Sequence, residues 1–270
     1  MPIWQAVILG VVEGLTEYLP VSSTGHLILA SWVLGIRGEA VKTFEVVIQG
    51  GALGAILVLY RSEVAAMCRG LAGRDPAGKR LATNLLVSFL PAGIAGLLLH
   101  PFIKRWLFSA WPVVAALGVG GVAMILFDRW MPFWGLRRRR ALGDLTRREA
   151  LWIGLAQVLS LWPGTSRAMV TLMAGLGLGL SATAAAEYSF LLALPTLGAA
   201  TLFDAARDIE GIFFKIGPAS LLAGFTTAAV VAAVAVRGFL GYLTERGLEP
   251  FGWYRISVAL ALVVAWGIAR

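Results

Sequence analysis

The stretch EGLTEYLPVSSTGHL, residues 13–27, interrupts an otherwise apolar sequence with carboxylates, hydroxyl groups and an imidazole. Near its middle lies Pro20, a residue type that breaks helices because it has no backbone N–H group. Charged side chains and broken helices are costly in a bilayer unless they are buried in protein or face water. We therefore interpret this stretch as a break in a membrane helix that carries a functional site.

The composition of the chain indicates an integral membrane protein. Of its 270 residues, 59% are hydrophobic and 14% are charged, whereas a soluble domain carries about 25% charged residues. The deficit extends over the whole sequence, and no linker rich in glycine, proline or serine divides it. We therefore expect a single membrane domain over residues 1–270. The only cysteine, Cys68, excludes an internal disulfide and a cysteine metal site.

The net charge of +8 is concentrated between apolar segments, notably in the run RRRR at 137–140. In a soluble protein this charge would suggest nucleic acid, but here it better explains how the helices are oriented in the membrane. We expect no nucleic-acid partner. By the positive-inside rule, the basic loops 61–80 and 128–149 are predicted to be cytoplasmic. The loop 204–215 has an acidic balance and is predicted to lie on the outer side.

Six apolar segments are predicted to span the membrane as helices. Three are free of charged residues over a length that crosses a bilayer at ~1.5 Å rise per residue, and three shorter ones can extend into their flanks. The six segments are 46–60, 81–103, 106–127, 188–203, 216–236 and 256–269.

Two further regions, 1–36 and 150–183, are apolar but broken in the middle. The breaks lie at Pro20 and at the pair Pro163-Gly164, and hydroxyl residues follow each of them. A break within the membrane is tolerated where the backbone groups are buried in protein or face water. We therefore interpret both regions as re-entrant helical hairpins. The alternative is a pair of kinked spanning helices in each region.

The two hairpin sequences resemble each other. LGVVEGLTEYLPVSSTGHL (9–27) aligns with IGLAQVLSLWPGTSRAMV (153–170) when one gap is introduced. The alignment pairs Glu13 with Gln157, Pro20 with Pro163 and Ser23 with Ser166.

Each half of the chain, about 1–130 and about 145–270, would then contain one hairpin and three spanning helices. An odd number of crossings inverts the second copy relative to the first. We therefore predict an all-α polytopic membrane protein with an inverted-topology repeat, about six spanning helices and two re-entrant hairpins.

The residues after the two breaks indicate an anion site. Ser22, Ser23, Thr165 and Ser166 are residue types that cap helix N-termini, so two such termini would point into one cavity. Free N–H groups and the helix dipole favour anions at these ends. Arg167 lies at one of them, and its forked guanidinium suits a phosphate. The predicted ligand is a phosphorylated anion.

The carboxylates before the first break indicate a cation. Glu13 and Glu17 are four residues apart, on one helical face, and they would repel an anion unless a cation lay between. A divalent ion such as Mg²⁺ or Ca²⁺ binds both carboxylate and phosphate oxygens. His26, about one turn after the serines, could transfer a proton or act as a nucleophile. Together these groups suggest phosphoryl transfer.

These motifs closely resemble those of the undecaprenyl-diphosphate phosphatase family, membrane enzymes of the bacitracin-resistance type. The acidic signature of the family resembles residues 13–27. Its Pro-Gly-x-Ser-Arg signature, with a threonine four residues after the arginine, resembles PGTSRAMVT (163–171). KTFEVVIQ (42–49) and EYSFLLALPT (187–196) resemble two further blocks. The resemblance covers essentially the whole chain with similar spacing.

The resemblance implies that the chain removes the terminal phosphate from a polyprenyl diphosphate lipid, undecaprenyl diphosphate. This reaction regenerates the monophosphate carrier for peptidoglycan and confers resistance to bacitracin. The resemblance also implies a bacterial inner-membrane location, an active site open to the periplasm or exterior, and a divalent cation. The family often has a second serine directly after the arginine, and because Ala168 stands there, that hydroxyl is not expected to be necessary.

With this resemblance, three groups of residues are assigned to the site. Catalytic roles are predicted for Glu17, Ser23, His26 and Arg167, substrate binding for Ser22, Thr24, Ser166, Thr171 and Gln157, and metal binding for Glu13 and Glu17. Ser23 is the expected nucleophile, activated by His26 or Glu17. Attack by His26 itself or by an activated water are the alternatives. The serines could instead be plain helix caps, and Thr171 a packing residue.

The main alternative function is transport. Inverted repeats with broken helices are typical of secondary transporters, so the chain could translocate a phosphorylated lipid or an anion without chemistry. A cluster that combines a nucleophile with a base favours an enzyme, because a transporter needs only binding groups. The sequence leaves the oligomeric state open, a homodimer included.

Overall fold

The computed structural model describes residues 1–36, 39–107, 109–130, 140–207 and 216–268. In these ranges the regular structure is helical, apart from an isolated bridge between Arg140 and Leu180. The α-helices are α1 (Ile3–Thr16), α2 (Ser23–Val33), α3 (Glu39–Leu59), α4 (Arg61–Leu71), α5 (Pro76–Trp106), α6 (Ala110–Trp130), α7 (Arg147–Gln157), α8 (Arg167–Gly177), α9 (Ala182–Arg207), α10 (Pro218–Arg246) and α11 (Glu249–Ile268). Short 3₁₀ helices occupy Leu142–Asp144 and Val158–Leu161. Residues 137–139 of the arginine run and 208–215 of the predicted outer loop lie outside the described residues.

Four of the described helices are long and apolar enough to cross a membrane, and the number rises to five if α3 and α4, bent by 81° at their junction, form one span. The all-α polytopic prediction is therefore confirmed. The four are the segments Pro76–Ile103, Trp111–Trp130, Ala182–Ala206 and Pro218–Arg246. They cover four of the six predicted spans.

The bounds of the predicted spans were too short in places. The helix predicted at 216–236 runs from Pro218 to Arg246 and ends at Gly247, whose φ of 69° is typical of a residue that terminates a helix. The predicted span 46–60 is the long arm of the bent pair formed by α3 and α4. The sixth predicted span, 256–269, lies within α11, and residue 269 falls outside the described part of the chain.

Both predicted hairpins consist of two helices joined by a break, and the helices of each hairpin pack together. Helix α1 has 14 residues, whereas α2, α7 and α8 have 11 each. At ~1.5 Å per residue these helices are too short to cross a hydrocarbon core about 30 Å thick. Their length favours re-entrant hairpins over kinked spanning helices.

The two breaks share an unusual backbone conformation. Ser22 and Ser166 are the N-cap residues of α2 and α8, with φ of 74° and 75°, and no other described non-glycine residue has a positive φ. The predicted pairing of Ser23 with Ser166 was therefore wrong by one residue. It resulted from a gap that aligned Pro20 with Pro163, although these prolines occupy different positions in the two breaks. Thr165 precedes the cap of its helix.

Each hairpin packs against a long helix of the other half of the chain. Helix α1 lies along α10, and α7 lies along α5. Glycines allow this approach, because a Cβ atom on Gly10 would lie 2.7 Å from the carbonyl oxygen of Gly224, and one on Gly154 would lie 2.5 Å from that of Ser88. Helix α6 also packs on α11, and α3 on α9. This reciprocal packing supports the repeat, whose inversion across the membrane stays a prediction.

Candidate active site

The two helix breaks meet at a buried ion pair between Glu17 and Arg167. The Nη2 atom of Arg167 lies 3.2 Å from Oε1 of Glu17, and the two side chains are 7% and 6% exposed. The other carboxylate oxygen, Oε2, accepts a hydrogen bond of 2.6 Å from the hydroxyl group of Ser23. One carboxylate therefore joins the predicted nucleophile of the first hairpin to the predicted phosphate-binding arginine of the second.

Two helix N-termini converge on this carboxylate. Helix α2 begins at Ser23 and helix α8 begins at Arg167, so both first turns lie beside Glu17. The first N–H groups of a helix have no intrahelical acceptor, and together with the dipole they favour a bound anion. The two N-termini predicted from the broken segments thus lie near one carboxylate, and a cavity between them stays a prediction.

Arg167 is held on several sides. Its Nη1 atom donates to the backbone carbonyl of Ser189 at 2.7 Å, and its guanidinium lies 5.9 Å from the ring centre of Tyr18. Thr171 donates to the carbonyl of Arg167 and shares a hydrogen bond of 2.7 Å with the Ser189 hydroxyl. The Nε atom of Arg167 is buried without an acceptor among the described residues. The arginine is therefore held in place, and Nε is its one nitrogen atom with no hydrogen-bond partner among these residues.

His26 hydrogen-bonds away from the ion pair. Its Nδ1 atom lies 2.8 Å from the carbonyl oxygen of Ser22, and its Nε2 atom lies 2.7 Å from the hydroxyl of Tyr254. A carbonyl only accepts, so Nδ1 carries the hydrogen and Nε2 accepts from Tyr254. The two rings stack with centroids 5.5 Å apart. Among the described residues, neither Ser23 nor Glu17 hydrogen-bonds to this imidazole.

Glu13 adds a second carboxylate to the site. It is 2% exposed, and it interacts electrostatically with Glu17, with Glu45 on α3 and with Arg167. In the described ranges, no group of three or more histidine, cysteine, aspartate or glutamate side chains is arranged to hold a metal ion. Any cation bound at Glu13 and Glu17 would therefore need further oxygen ligands from substrate or water.

The remaining predicted residues fall into two groups. Ser22 and Ser166 cap the two helices, and Thr24 is half-buried in the first turn of α2. Gln157 is fully buried, but its amide contacts the Ser88 carbonyl and the Thr196 hydroxyl instead of the ion pair. The structure therefore does not bring Gln157 into the network around Glu17.

Four residues of this region were not predicted from the sequence: Tyr18, Ser189, Tyr254 and Arg255. Ser189 lies within an apolar segment and acts on Arg167 mainly through its backbone, which leaves no signal in the sequence. Arg255 directly precedes the predicted span 256–269, which was defined by its lack of charged residues and so excluded this arginine. The available signal in the sequence was an arginine at the edge of an apolar segment, a position where a charged residue is costly unless it has a role.

Comparison with known proteins shows the family of this chain. The family model described as bacitracin resistance protein BacA matches residues 6–261. A protein named undecaprenyl-diphosphatase from Sorangium cellulosum is 49% identical over 270 residues, which are 97% of this chain and 85% of that protein. Proteins of the same name are 42% identical in Rhizorhabdus wittichii (100% of this chain, 99% of the relative) and 39% identical in Ectopseudomonas mendocina (98% and 96%). The chain therefore belongs to the bacitracin resistance protein BacA family.

Proposed function

We propose that this protein hydrolyses undecaprenyl diphosphate to undecaprenyl phosphate and inorganic phosphate. The observation that carries the proposal is the buried cluster in which Glu17 binds both the Ser23 hydroxyl and Arg167. The Nε–H group of Arg167 lacks an acceptor among the described residues. A buried donor without an acceptor lowers the stability of the fold, and a bound ligand can provide the missing acceptor. A phosphate oxygen is a suitable acceptor.

The relatives support the same reaction. The proteins from Sorangium cellulosum, Rhizorhabdus wittichii and Ectopseudomonas mendocina are all named undecaprenyl-diphosphatase, and the similarity extends over nearly the full length of this chain. The product, undecaprenyl phosphate, is the lipid carrier for peptidoglycan. Its recycling would account for resistance to bacitracin in a family that carries that name.

The geometry favours Ser23 as nucleophile with Glu17 as its base. Glu17 already accepts the hydroxyl hydrogen bond at 2.6 Å, within the reach that proton transfer requires. The serine oxygen attacks the terminal phosphorus, undecaprenyl phosphate leaves, and the proton passes to Glu17. Water then hydrolyses the phosphoserine. Arg167 and the two helix N-termini stabilise the charge on the transferred phosphoryl group.

Proton abstraction from Ser23 by His26 is less favoured. Both nitrogens of the imidazole are engaged, one with the Ser22 carbonyl and the other with Tyr254. Either direct attack by His26 or its action as a base would first require the Tyr254 hydrogen bond to break. Attack by a water activated by Glu17 is the remaining alternative.

A divalent cation such as Mg²⁺ or Ca²⁺ fits the donor set. Glu13 and Glu17 are both buried, and Glu13 interacts electrostatically with Glu17 and Glu45. The one guanidinium that acts on Glu13 is that of Arg167, so the carboxylates here outnumber the positive side chains. Their oxygens are the ligands that such hard cations prefer. When bound, the cation would reduce the repulsion between these carboxylates and the negatively charged phosphate groups of the substrate.

The proposed location is the bacterial inner membrane, with the active site open to the periplasm or exterior. The basic balance of residues 61–80 and 128–149 supports a cytoplasmic position for these segments. The first hairpin, which carries Glu17 and Ser23, then enters from the outer side. The protein is proposed to be a monomer or a homodimer, and sedimentation in detergent distinguishes the two.

Phosphate release from the purified protein given a polyprenyl diphosphate tests this function. We expect Glu17→Gln and Arg167→Ala to lose at least about 1,000-fold in rate, since each removes a group that acts on the transferred phosphoryl. The exposed ion pair of Arg129 and Glu249 provides matched controls. Arg129→Ala and Glu249→Gln should retain wild-type rates. Movement of the lipid between leaflets without phosphate release would support transport instead.

A further inference from the structure

Arg255 on α11 is fully buried, and it is the largest side chain of the described residues to be so. Among the described residues, its guanidinium donates hydrogen bonds only to backbone carbonyls. The acceptors are Leu117 at 3.3 Å and Ala116 at 3.0 Å, both on α6, Pro20 at 3.2 Å and Gly164 at 2.9 Å. One side chain therefore connects α6 to both helix breaks.

The two break carbonyls are close in sequence to the active-site residues. Pro20 lies midway between Glu17 and Ser23, and Gly164 lies three residues before Arg167. A carbonyl in a break has no helical N–H partner, which is costly within a membrane protein unless another donor satisfies it. The planar guanidinium can reach several acceptors in fixed directions, which a lysine ammonium on a flexible stem cannot.

The charge of Arg255 has no carboxylate partner among the described residues, since all four of its hydrogen bonds go to carbonyls. This distinguishes it from Arg167, which pairs with Glu17. Its positive charge also acts electrostatically on His26.

Glycines make room for this arrangement. A Cβ atom on Gly120 would collide with the Nη2 atom of Arg255. Gly164 has a φ of 96°, and a Cβ there would lie 2.6 Å from the Val113 carbonyl oxygen, so the second break lies directly against α6. A substitution at Gly120 should therefore displace the guanidinium while its charge remains.

We propose that Arg255 is a positioning residue for the phosphatase reaction. It clamps the two breaks together and so fixes Ser23 and Glu17 of one hairpin relative to Arg167 of the other. It forms no hydrogen bond with these three side chains. The inference rests on the proposed function, because the reaction it serves is the one proposed above.

The test compares Arg255→Lys, Arg255→Met and Gly120→Ala in purified protein. We expect kcat to fall about 100-fold for the Arg255 variants, since a displacement of about 1 Å between reacting groups has such an effect. KM should stay within about threefold, because the apolar contacts of the prenyl tail still bind the substrate. Gly120→Ala should lower kcat in the same direction. Arg255→Lys should retain more activity than Arg255→Met.

Two controls are matched to these changes. Arg246→Met removes an exposed arginine from the end of α10, and Gly118→Ala adds a Cβ on α6 where no atom lies within 4 Å. Both should keep wild-type kcat. All rates are expressed per folded, monodisperse protein, and Gly120→Ala keeps the test valid if Arg255→Met does not fold.

Wild-type kcat in folded Arg255→Lys and Gly120→Ala would overturn the inference. It would also be overturned if activity loss only followed the unfolded fraction, which would indicate a purely structural role. If wild-type protein and controls release phosphate in that case, the proposed function stands and positioning alone fails. If the wild type releases none, both fail.

Discussion

At the scale of single residues, Ser22 and Ser166 show how one backbone conformation serves two purposes. Both precede a helix with φ near 75°. The hydroxyl of Ser166 accepts a hydrogen bond of 3.2 Å from the Met169 N–H, whereas Ser22 makes no side-chain cap bond. The Ser22 carbonyl instead accepts from His26. The second break therefore stabilises its own helix, and the first orients an imidazole.

This difference predicts unequal effects of the same substitution. Ser166→Ala should lower the free energy of unfolding by about 1 kcal/mol, because it removes a cap hydrogen bond without relieving the backbone strain. Ser22→Ala keeps the same backbone and removes no cap bond, so its stability should stay within about 0.5 kcal/mol of wild type. Thermal unfolding in detergent, followed by tryptophan fluorescence, measures both. Equal destabilisation would contradict the assignment.

At the scale of elements, the site depends on how closely α1 approaches α10. A Cβ on Gly14 would lie 2.7 Å from the Ala228 carbonyl oxygen and 2.8 Å from the Ala232 nitrogen. These are backbone atoms, which cannot move aside as a flexible side chain can. Because Glu13 and Glu17 border Gly14 on the same segment, the contact also sets the depth of both carboxylates in the molecule.

We therefore expect Gly14→Ala to destabilise the protein by about 1–3 kcal/mol, the usual range for overpacking a well-packed interface. Phosphate release should fall with it, because Glu17 moves relative to Arg167. Gly241→Ala on α10 is the matched control, since no atom lies within 4 Å of its added Cβ. Its stability should be unchanged or higher by up to about 1 kcal/mol. A neutral Gly14→Ala would show that the two helices can separate.

At the scale of the whole molecule, the candidate active site forms only because the two halves pack reciprocally. The first hairpin lies against α10 of the second half, and the second hairpin lies against α5 of the first. Each half supplies one side of the Glu17–Arg167 pair. Neither half alone contains both Ser23 and Arg167.

The proposed orientation can be tested with the single native cysteine. Cys68 is exposed on α4, within the basic segment predicted to be cytoplasmic. A membrane-impermeant maleimide should label it in inverted vesicles and leave it unlabelled in spheroplasts. Val33→Cys in a Cys68→Ala background places a thiol at the exposed end of α2, and it should show the opposite pattern. Labelling of Cys68 in spheroplasts would reverse the proposed topology.

The sequence predicted three of the residues that meet in the candidate site because they are distinctive in an apolar chain. Glu17, Ser23 and Arg167 are polar groups beside proline breaks in an apolar chain, and such groups are rare in membrane helices unless they function. Ser189 gave no signal, because it contributes a backbone carbonyl that any residue type could offer. The register of the repeat was misjudged by one residue because prolines were assumed to be equivalent.

By itself, the sequence determined that this protein is helical, lies in a membrane and has two interrupted helical segments. These properties depend on the length of apolar segments and on the positions of prolines, both of which act on the local backbone. Only the tertiary structure decided which groups meet. In the tertiary structure Ser23 hydrogen-bonds to Glu17, and His26 hydrogen-bonds to Tyr254. Hydrogen bonds between distant segments depend on how the helices pack. The tertiary structure also placed Arg255 between the breaks, because their unpaired carbonyls need donors that no neighbouring residue provides.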